Sequence, residues 1–105
     1  MVIDFESVNR MAKSYADDVR KVMPVSKVML YGSYANGTAT EQSDIDICFF
    51  LDSFLGKHRI EILKELLTLM HNFKGVFFEP TAFPTSELNN DNPFVKEILR
   101  TGREI

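Results

Sequence analysis

Two aspartates, one residue apart, open an apolar stretch of the chain. Asp44 and Asp46 precede the run ICFFL at positions 47–51, whose composition favours a buried strand. Because residues two apart on a strand project from the same face, the two carboxylates would lie side by side. Neighbouring carboxylates repel each other unless one is protonated or a cation binds. The spacing therefore predicts a site for a hard divalent cation such as Mg²⁺, which prefers oxygen ligands.

A Gly-Ser pair precedes these acids by ten residues and gives the pattern G-S-x10-D-x-D. Gly32 follows an apolar strand and lacks a Cβ atom, so the backbone there can approach a ligand closely. Ser33 would begin a short helical turn, either as its N-cap or as a phosphate contact, and the two roles are compatible. One end of this stretch thus suits a phosphate chain, and the other suits the cations that accompany phosphates.

The stretch resembles the signature of the nucleotidyltransferases of the DNA polymerase beta superfamily, and most of all their minimal nucleotidyltransferase (MNT) branch. The resemblance implies one domain over residues 1–105, with an α/β (α+β) polymerase-beta-like nucleotidyltransferase fold and a small mixed sheet flanked by helices. It implies that Asp44 and Asp46 bind two Mg²⁺ ions. It also implies that Gly32 and Ser33 hold the β- and γ-phosphates of ATP.

Glu79 is the predicted third carboxylate of this site. It ends a short predicted aromatic strand, and the resembling family carries an acid, more often Asp, on a later strand beside the D-x-D strand. It would complete the first metal site and help to deprotonate the acceptor; the alternative is an ordinary edge acid before Pro80. Asp52 is a weaker rival, too far along the strand for the same metal pair. Tyr34 stands where the family often carries Arg, so one expected positive contact is missing.

The resemblance further implies transfer of AMP from ATP to a hydroxyl. Single-domain proteins of this kind are typically paired with a helical HEPN-type ribonuclease, and they act as its antitoxin by attaching AMP to a toxin tyrosine. A protein acceptor and a hetero-oligomer are therefore expected. The alternative is a non-catalytic binding module that neutralises its partner by occlusion and keeps the nucleotide site as a vestige.

A basic turn, Lys57-His58-Arg59, opens the longest predicted helix. It is either a solvated turn or a dock for an acidic or phosphorylated acceptor. Neither histidine has a second nitrogen or sulfur ligand at a recognisable spacing, so zinc is not expected. Cys48 is predicted to be a core residue.

Composition narrows the classes of function. The 105 residues carry a net charge of −3 with a pI near 5.3, which argues against general nucleic-acid binding. A single cysteine favours a reducing, cytoplasmic setting, since it cannot form an internal disulfide. No signal peptide and no apolar run long enough to cross a bilayer are recognised.

Hydrophobic periodicity predicts the helices and strands that position these residues. It predicts helices over 5–23, 56–73 and 93–100, a short turn over 33–36, and strands over 25–31, 44–51 and 76–79. The order α-β-α-β-α-β-α favours an α/β domain. The predicted core stripe of the long helix consists of Ile60, Leu63, Leu66, Leu67, Met70 and Phe73.

Overall fold

The structure is a computed structural model that describes residues 4–32, 35, 37, 44–70, 73 and 77–105. Its elements, in chain order, are α1 (Phe5–Arg20), β1 (Val25–Tyr31), β2 (Ile45–Leu51), α2 (Arg59–Met70), β3 (Phe78–Pro84), a 3-10 helix (Thr85–Asn89), α3 (Pro93–Thr101) and β4 (Arg103–Glu104). The predicted turn over 33–36 lies largely outside the described residues.

A four-stranded mixed sheet forms the centre of the domain, in the order β3-β2-β1-β4. Strand β1 pairs antiparallel with both β2 and β4, whereas β2 pairs parallel with β3. The small mixed sheet flanked by helices confirms the predicted α/β fold.

The two faces of the sheet carry separate cores. Alternate residues of β2, including Ile47 and Phe49, pack with α1 and α2 on one face. The intervening residues Cys48 and Phe50 pack with Val95 and Ile98 of α3 on the other face. Strand β2 is therefore covered on both sides, as its continuous apolar sequence predicts. The side chain of Asp46 belongs to the α3 face, because it alternates with Ile45 and Ile47.

The helix ends follow from their capping residues. Asp4 caps α1 by accepting a hydrogen bond from the Ser7 backbone N–H. Asn92 caps α3 in the same way through Phe94 and Val95. Each cap satisfies backbone donors that have no partner within the helix. No helix in the described part of the chain combines the length and hydropathy needed to cross a membrane.

Helix α2 departs from its prediction in two ways. It begins at Arg59 rather than at position 56, because Leu55 and Gly56 adopt left-handed backbone angles (φ 58° and 75°) that a right-handed helix does not permit. Its core stripe was also wrong in part: Ile60 and Leu67 are 61% and 48% exposed. The fully buried residues of this helix are Ile62 and Leu66, so its buried face is rotated from the predicted one.

Strand β3 is longer than predicted and continues through Pro80 to Pro84. Proline normally ends a strand because it has no N–H to donate, but an edge strand tolerates it where that position faces away from the neighbouring strand. Among the described residues, strand β3 lies at the edge of the sheet and pairs only with β2. Strand β4, with two residues, was not predicted.

Gly102 ends α3 at a position where the chain leaves no room for a side chain. A Cβ atom there would lie 2.5 Å from the Ile98 carbonyl oxygen and 2.6 Å from that of Leu30. We expect Gly102→Ala to lower the free energy of unfolding by about 2–4 kcal/mol, since both neighbours are backbone atoms. Urea denaturation would measure this loss. Gly37→Ala is the control: that position has φ +82°, and no described residue lies within 4 Å of where its Cβ atom would be, so about 1 kcal/mol is expected there.

Candidate active site

Three residues from three strands form one row across the α3 face of the sheet. Asp46 of β2 is in register with Tyr31 of β1 on one side and with Glu79 of β3 on the other. Residues in register on neighbouring strands project to the same face. The acid predicted as the third carboxylate therefore lies beside Asp46, although 32 residues separate the two in sequence. Asp44 immediately precedes β2, two residues before Asp46, and is exposed.

Gly32 packs directly against this row. Its φ of +75° is a left-handed angle, and a Cβ atom there would overlap the Oδ2 atom of Asp46. Glycine is thus required for two separate reasons, backbone conformation and close approach. This contact places Gly32, the first residue of the predicted phosphate-binding turn, against the carboxylate of Asp46. Ser33 and Tyr34 lie outside the described residues.

The surroundings of the Asp46 carboxyl group disfavour its charged form. Burial raises its pKa to about 6, and the charge of Glu79, a hydrogen bond between the two side chains, and the charge of Asp44 act in the same direction. The three acids therefore interact as a group, and a bound cation would relieve their repulsion.

This donor set fits a divalent cation of the Mg²⁺ type. Its ligands would be carboxylate oxygens, which such a cation prefers, and phosphate oxygens could complete its coordination. Among the described residues no three His, Cys, Asp or Glu side chains already surround a common metal position. Asp44 and Glu79 are exposed, so the site is an open row of ligands rather than a closed cage.

Aromatic rings border the row on the side of α3. The ring of Phe94 lies 6.0 Å from that of Tyr31 and 5.8 Å from that of Phe83, and it is 49% exposed. Burial, followed by the charge of Asp46, raises the pKa of the Tyr31 phenol well above its ordinary value. Tyr31 therefore stays protonated at neutral pH and can donate a hydrogen bond within the site.

Arg103 supports the turn that follows Gly32. Its Nε–H donates to the Ala35 carbonyl oxygen at 3.3 Å, and its guanidinium lies 4.7 Å from the centre of the Phe5 ring. Sequence reasoning missed both Arg103 and Tyr31, because neither belongs to a local motif. Only the pairing of β1 with β2 and β4 brings them to this end of the sheet.

Asp52, the weaker rival, lies at the opposite end of β2. It accepts a hydrogen bond from Thr85 at 2.8 Å, and Thr85 is also hydrogen bonded to Ser26 at 2.7 Å. This chain of polar contacts ties together the ends of three strands. A groove of about 290 Å³ between α2 and the segment that follows α1, lined in part by Val22 and Leu69, lies on the other face of the sheet. Neither feature contributes to the row of acids.

The raised pKa of Asp46 leads to a prediction about stability. Without metal, the folded state binds the Asp46 proton more tightly than the unfolded chain, whose aspartates have a pKa near 4. The free energy of unfolding should therefore fall by about 1 kcal/mol as the pH rises from about 4 to 6, after allowance for partial exposure. Denaturation in EDTA at several pH values would measure it. Asp46→Asn should flatten this dependence and leave the metal-free protein at least as stable at pH 7; an unchanged pH dependence would contradict the prediction.

The mixed sheet and the row of acids at the Gly32 turn define a nucleotidyltransferase domain. Residues 13–105 match the family model "Polymerase beta, Nucleotidyltransferase", and the chain belongs to that family. It is 25% identical over 73 residues to the terminal uridylyltransferase cid1 of Schizosaccharomyces pombe; the match covers 70% of this chain and 18% of that protein. A solved structure of a candidate nucleotidyltransferase from Sulfolobus solfataricus shares the fold, with a TM-score of 0.60 and 17% identity, over 90% of this chain and 76% of that one.

Proposed function

We propose that this domain transfers AMP from ATP to the hydroxyl of a tyrosine in a HEPN-type toxin ribonuclease, and so acts as an antitoxin. The observation that carries the catalytic part of the proposal is the register of Asp46 with Glu79 beside Gly32. Family membership supports a transferase. The adenylyl group, the toxin tyrosine and the antitoxin role rest on the resemblance of the G-S-x10-D-x-D stretch to the MNT branch.

The chemistry is a displacement at the α-phosphorus of the nucleotide. The acceptor oxygen forms a bond to phosphorus, the bond to the bridging oxygen of the β-phosphate breaks, and pyrophosphate leaves. Glu79, on the exposed edge strand, would accept the hydroxyl proton. Asp46 and Asp44, with Glu79, would hold two Mg²⁺ ions, which supply charge stabilisation to the attacking and leaving oxygens. Gly32 and Ser33 would hold the β- and γ-phosphates in line with the acceptor.

A transfer assay with intact-protein mass spectrometry tests the proposal. The chain, Mg²⁺ and ATP are mixed with a purified HEPN-type ribonuclease. We expect the mass of the ribonuclease to increase by one or more AMP groups, and we expect the Asp44→Asn, Asp46→Asn double variant to remove that gain. An unmodified ribonuclease in the presence of the wild-type chain would contradict the catalytic proposal.

A second candidate function is a non-catalytic antitoxin that occludes its partner. The tyrosine at position 34, where the family often carries arginine, and the glutamate at position 79 favour it. The same double variant separates the two functions, because occlusion does not need the carboxylates. Full neutralisation of ribonuclease activity by the double variant would establish binding as sufficient.

A further inference from the structure

Arg59 is a cation held at the edge of the sheet beside the row of acids. It is the first residue of α2, but its side chain reaches β3, where Nη2 donates to the Thr81 hydroxyl at 2.9 Å. Its guanidinium also lies 4.8 Å from the centre of the Phe83 ring. Thr81 follows Glu79 by two residues on β3, so both side chains project to the same face. Arg59 therefore lies on the side of the site that Glu79 borders.

The charge of Arg59 is left available by its surroundings. Among the described residues no carboxylate lies within salt-bridge distance of it, whereas its neighbour Lys57 pairs with Glu65. The residues of the basic turn make different contacts: Arg59 contacts Thr81 of β3, whereas Lys57 pairs with Glu65 of α2.

This step rests on the function proposed above: the row of acids determines from which side the acceptor approaches the nucleotide. Gly32 lies on the β1 side of Asp46, and Glu79 lies on the β3 side. If the leaving pyrophosphate is held at Gly32, in-line attack requires the acceptor to approach from the opposite side. That side is the edge strand with Glu79, Thr81 and Arg59. The groups around Arg59 therefore face the acceptor rather than the departing phosphates.

We propose that Arg59 binds a carboxylate adjacent to the acceptor hydroxyl, so that the domain selects a hydroxyl within an acidic protein segment. A guanidinium forms paired hydrogen bonds with a carboxylate, and the Thr81 and Phe83 contacts fix its orientation in advance. A nucleic-acid acceptor fits less well, because successive phosphates require several cations, whereas one carboxylate requires only one. Arg59 is a specificity residue in this proposal, whereas Asp46 and Glu79 carry the chemistry.

Two synthetic peptides test the proposal: a tyrosine flanked by glutamates and the same peptide with glutamines. Binding of each peptide is measured by fluorescence titration, and AMP transfer is measured with Mg²⁺ and ATP. We expect wild type to bind the glutamate peptide and to use it about tenfold more efficiently in kcat/KM, the gain typical of a charge-assisted hydrogen bond. Arg59→Gln should abolish that preference and leave the values for the glutamine peptide unchanged.

Lys57→Gln is the matched control, because it removes the same charge from the same turn at a residue that is already paired with Glu65. It should keep the tenfold preference. Equal losses in Arg59→Gln for both peptides, or equal effects of the two variants, would overturn the proposal. Preferred use of an RNA oligonucleotide by the wild type would overturn it in favour of a nucleic-acid acceptor. The titration separates this proposal from the proposed function: charge-selective binding without any transfer would contradict only the latter.

Discussion

Asp46→Asn should reduce nucleotidyl transfer by about 10²- to 10³-fold. The substitution keeps the shape of the side chain but removes one negative ligand from the centre of the row, where Asp46 faces Glu79 and is packed by Gly32. Stabilisation of developing charge by ligands and metal ions supplies most of the rate in reactions of this type, and loss of a single such contact typically costs two to three powers of ten. Initial rates of pyrophosphate release at saturating ATP would measure the effect.

Asp52→Asn provides the control for this experiment. Asp52 follows the same strand, carries the same charge and makes its hydrogen bond with Thr85 at the far end of the sheet. Its substitution should leave the rate within about twofold of wild type, since surface changes away from a site have small effects. If Asp46→Asn retained more than a tenth of the wild-type rate, Asp46 could not be a central metal ligand. Because this variant is expected to be at least as stable as wild type, unfolding would not explain its loss of activity.

Gly32→Ala should reduce transfer by about 100-fold and lower the free energy of unfolding by about 1–3 kcal/mol. The added Cβ atom would overlap the Oδ2 atom of Asp46, and the φ of +75° is unfavourable for alanine. The carboxylate must therefore move, and displacement of a reacting group by about 1 Å commonly costs about two powers of ten. The positive φ adds about 1 kcal/mol of strain. Rates and urea denaturation would be measured on the same preparation.

Gly56→Ala separates the effect of backbone strain at positive φ from the effect of steric overlap with Asp46. Gly56 has the same φ of +75°, but in the described part of the chain no atom of a residue other than its chain neighbours lies within 4 Å of the position that a Cβ atom would take. This variant should show the backbone cost of about 1 kcal/mol with unchanged transfer. Equal activity of the Gly32 and Gly56 variants would show that the contact between Gly32 and Asp46 has no role in the reaction.

The local features of this protein could be predicted from its residues. Strand β1 has the predicted bounds, and β2 was predicted with one additional residue at its start, because apolar runs bounded by turns and proline specify short buried strands. The D-x-D spacing predicted that Asp44 and Asp46 share a face; Asp46 lies within β2, whereas Asp44 precedes it, so this relation stays a prediction. The last helix, predicted over 93–100, extends over Pro93–Thr101 and has proline in its first turn, a position that suits proline.

The relations between distant residues were decided by tertiary structure. Hydrogen bonding between β2 and β3 sets which residue lies opposite Asp46, and packing of both faces fixes that register; a shift by one residue would turn Glu79 away from the site. Because of Pro80, β3 was predicted to end at Glu79. An edge strand tolerates proline, but the sequence around Pro80 does not show that β3 lies at the edge of the sheet. The orientation of Arg59 and the contact of Arg103 with Ala35 likewise depend on neighbouring elements. The sequence alone thus identified the two aspartates and Gly32 as candidate site residues, whereas strand pairing, which joins residues far apart in the chain, determined which residues lie beside Asp46.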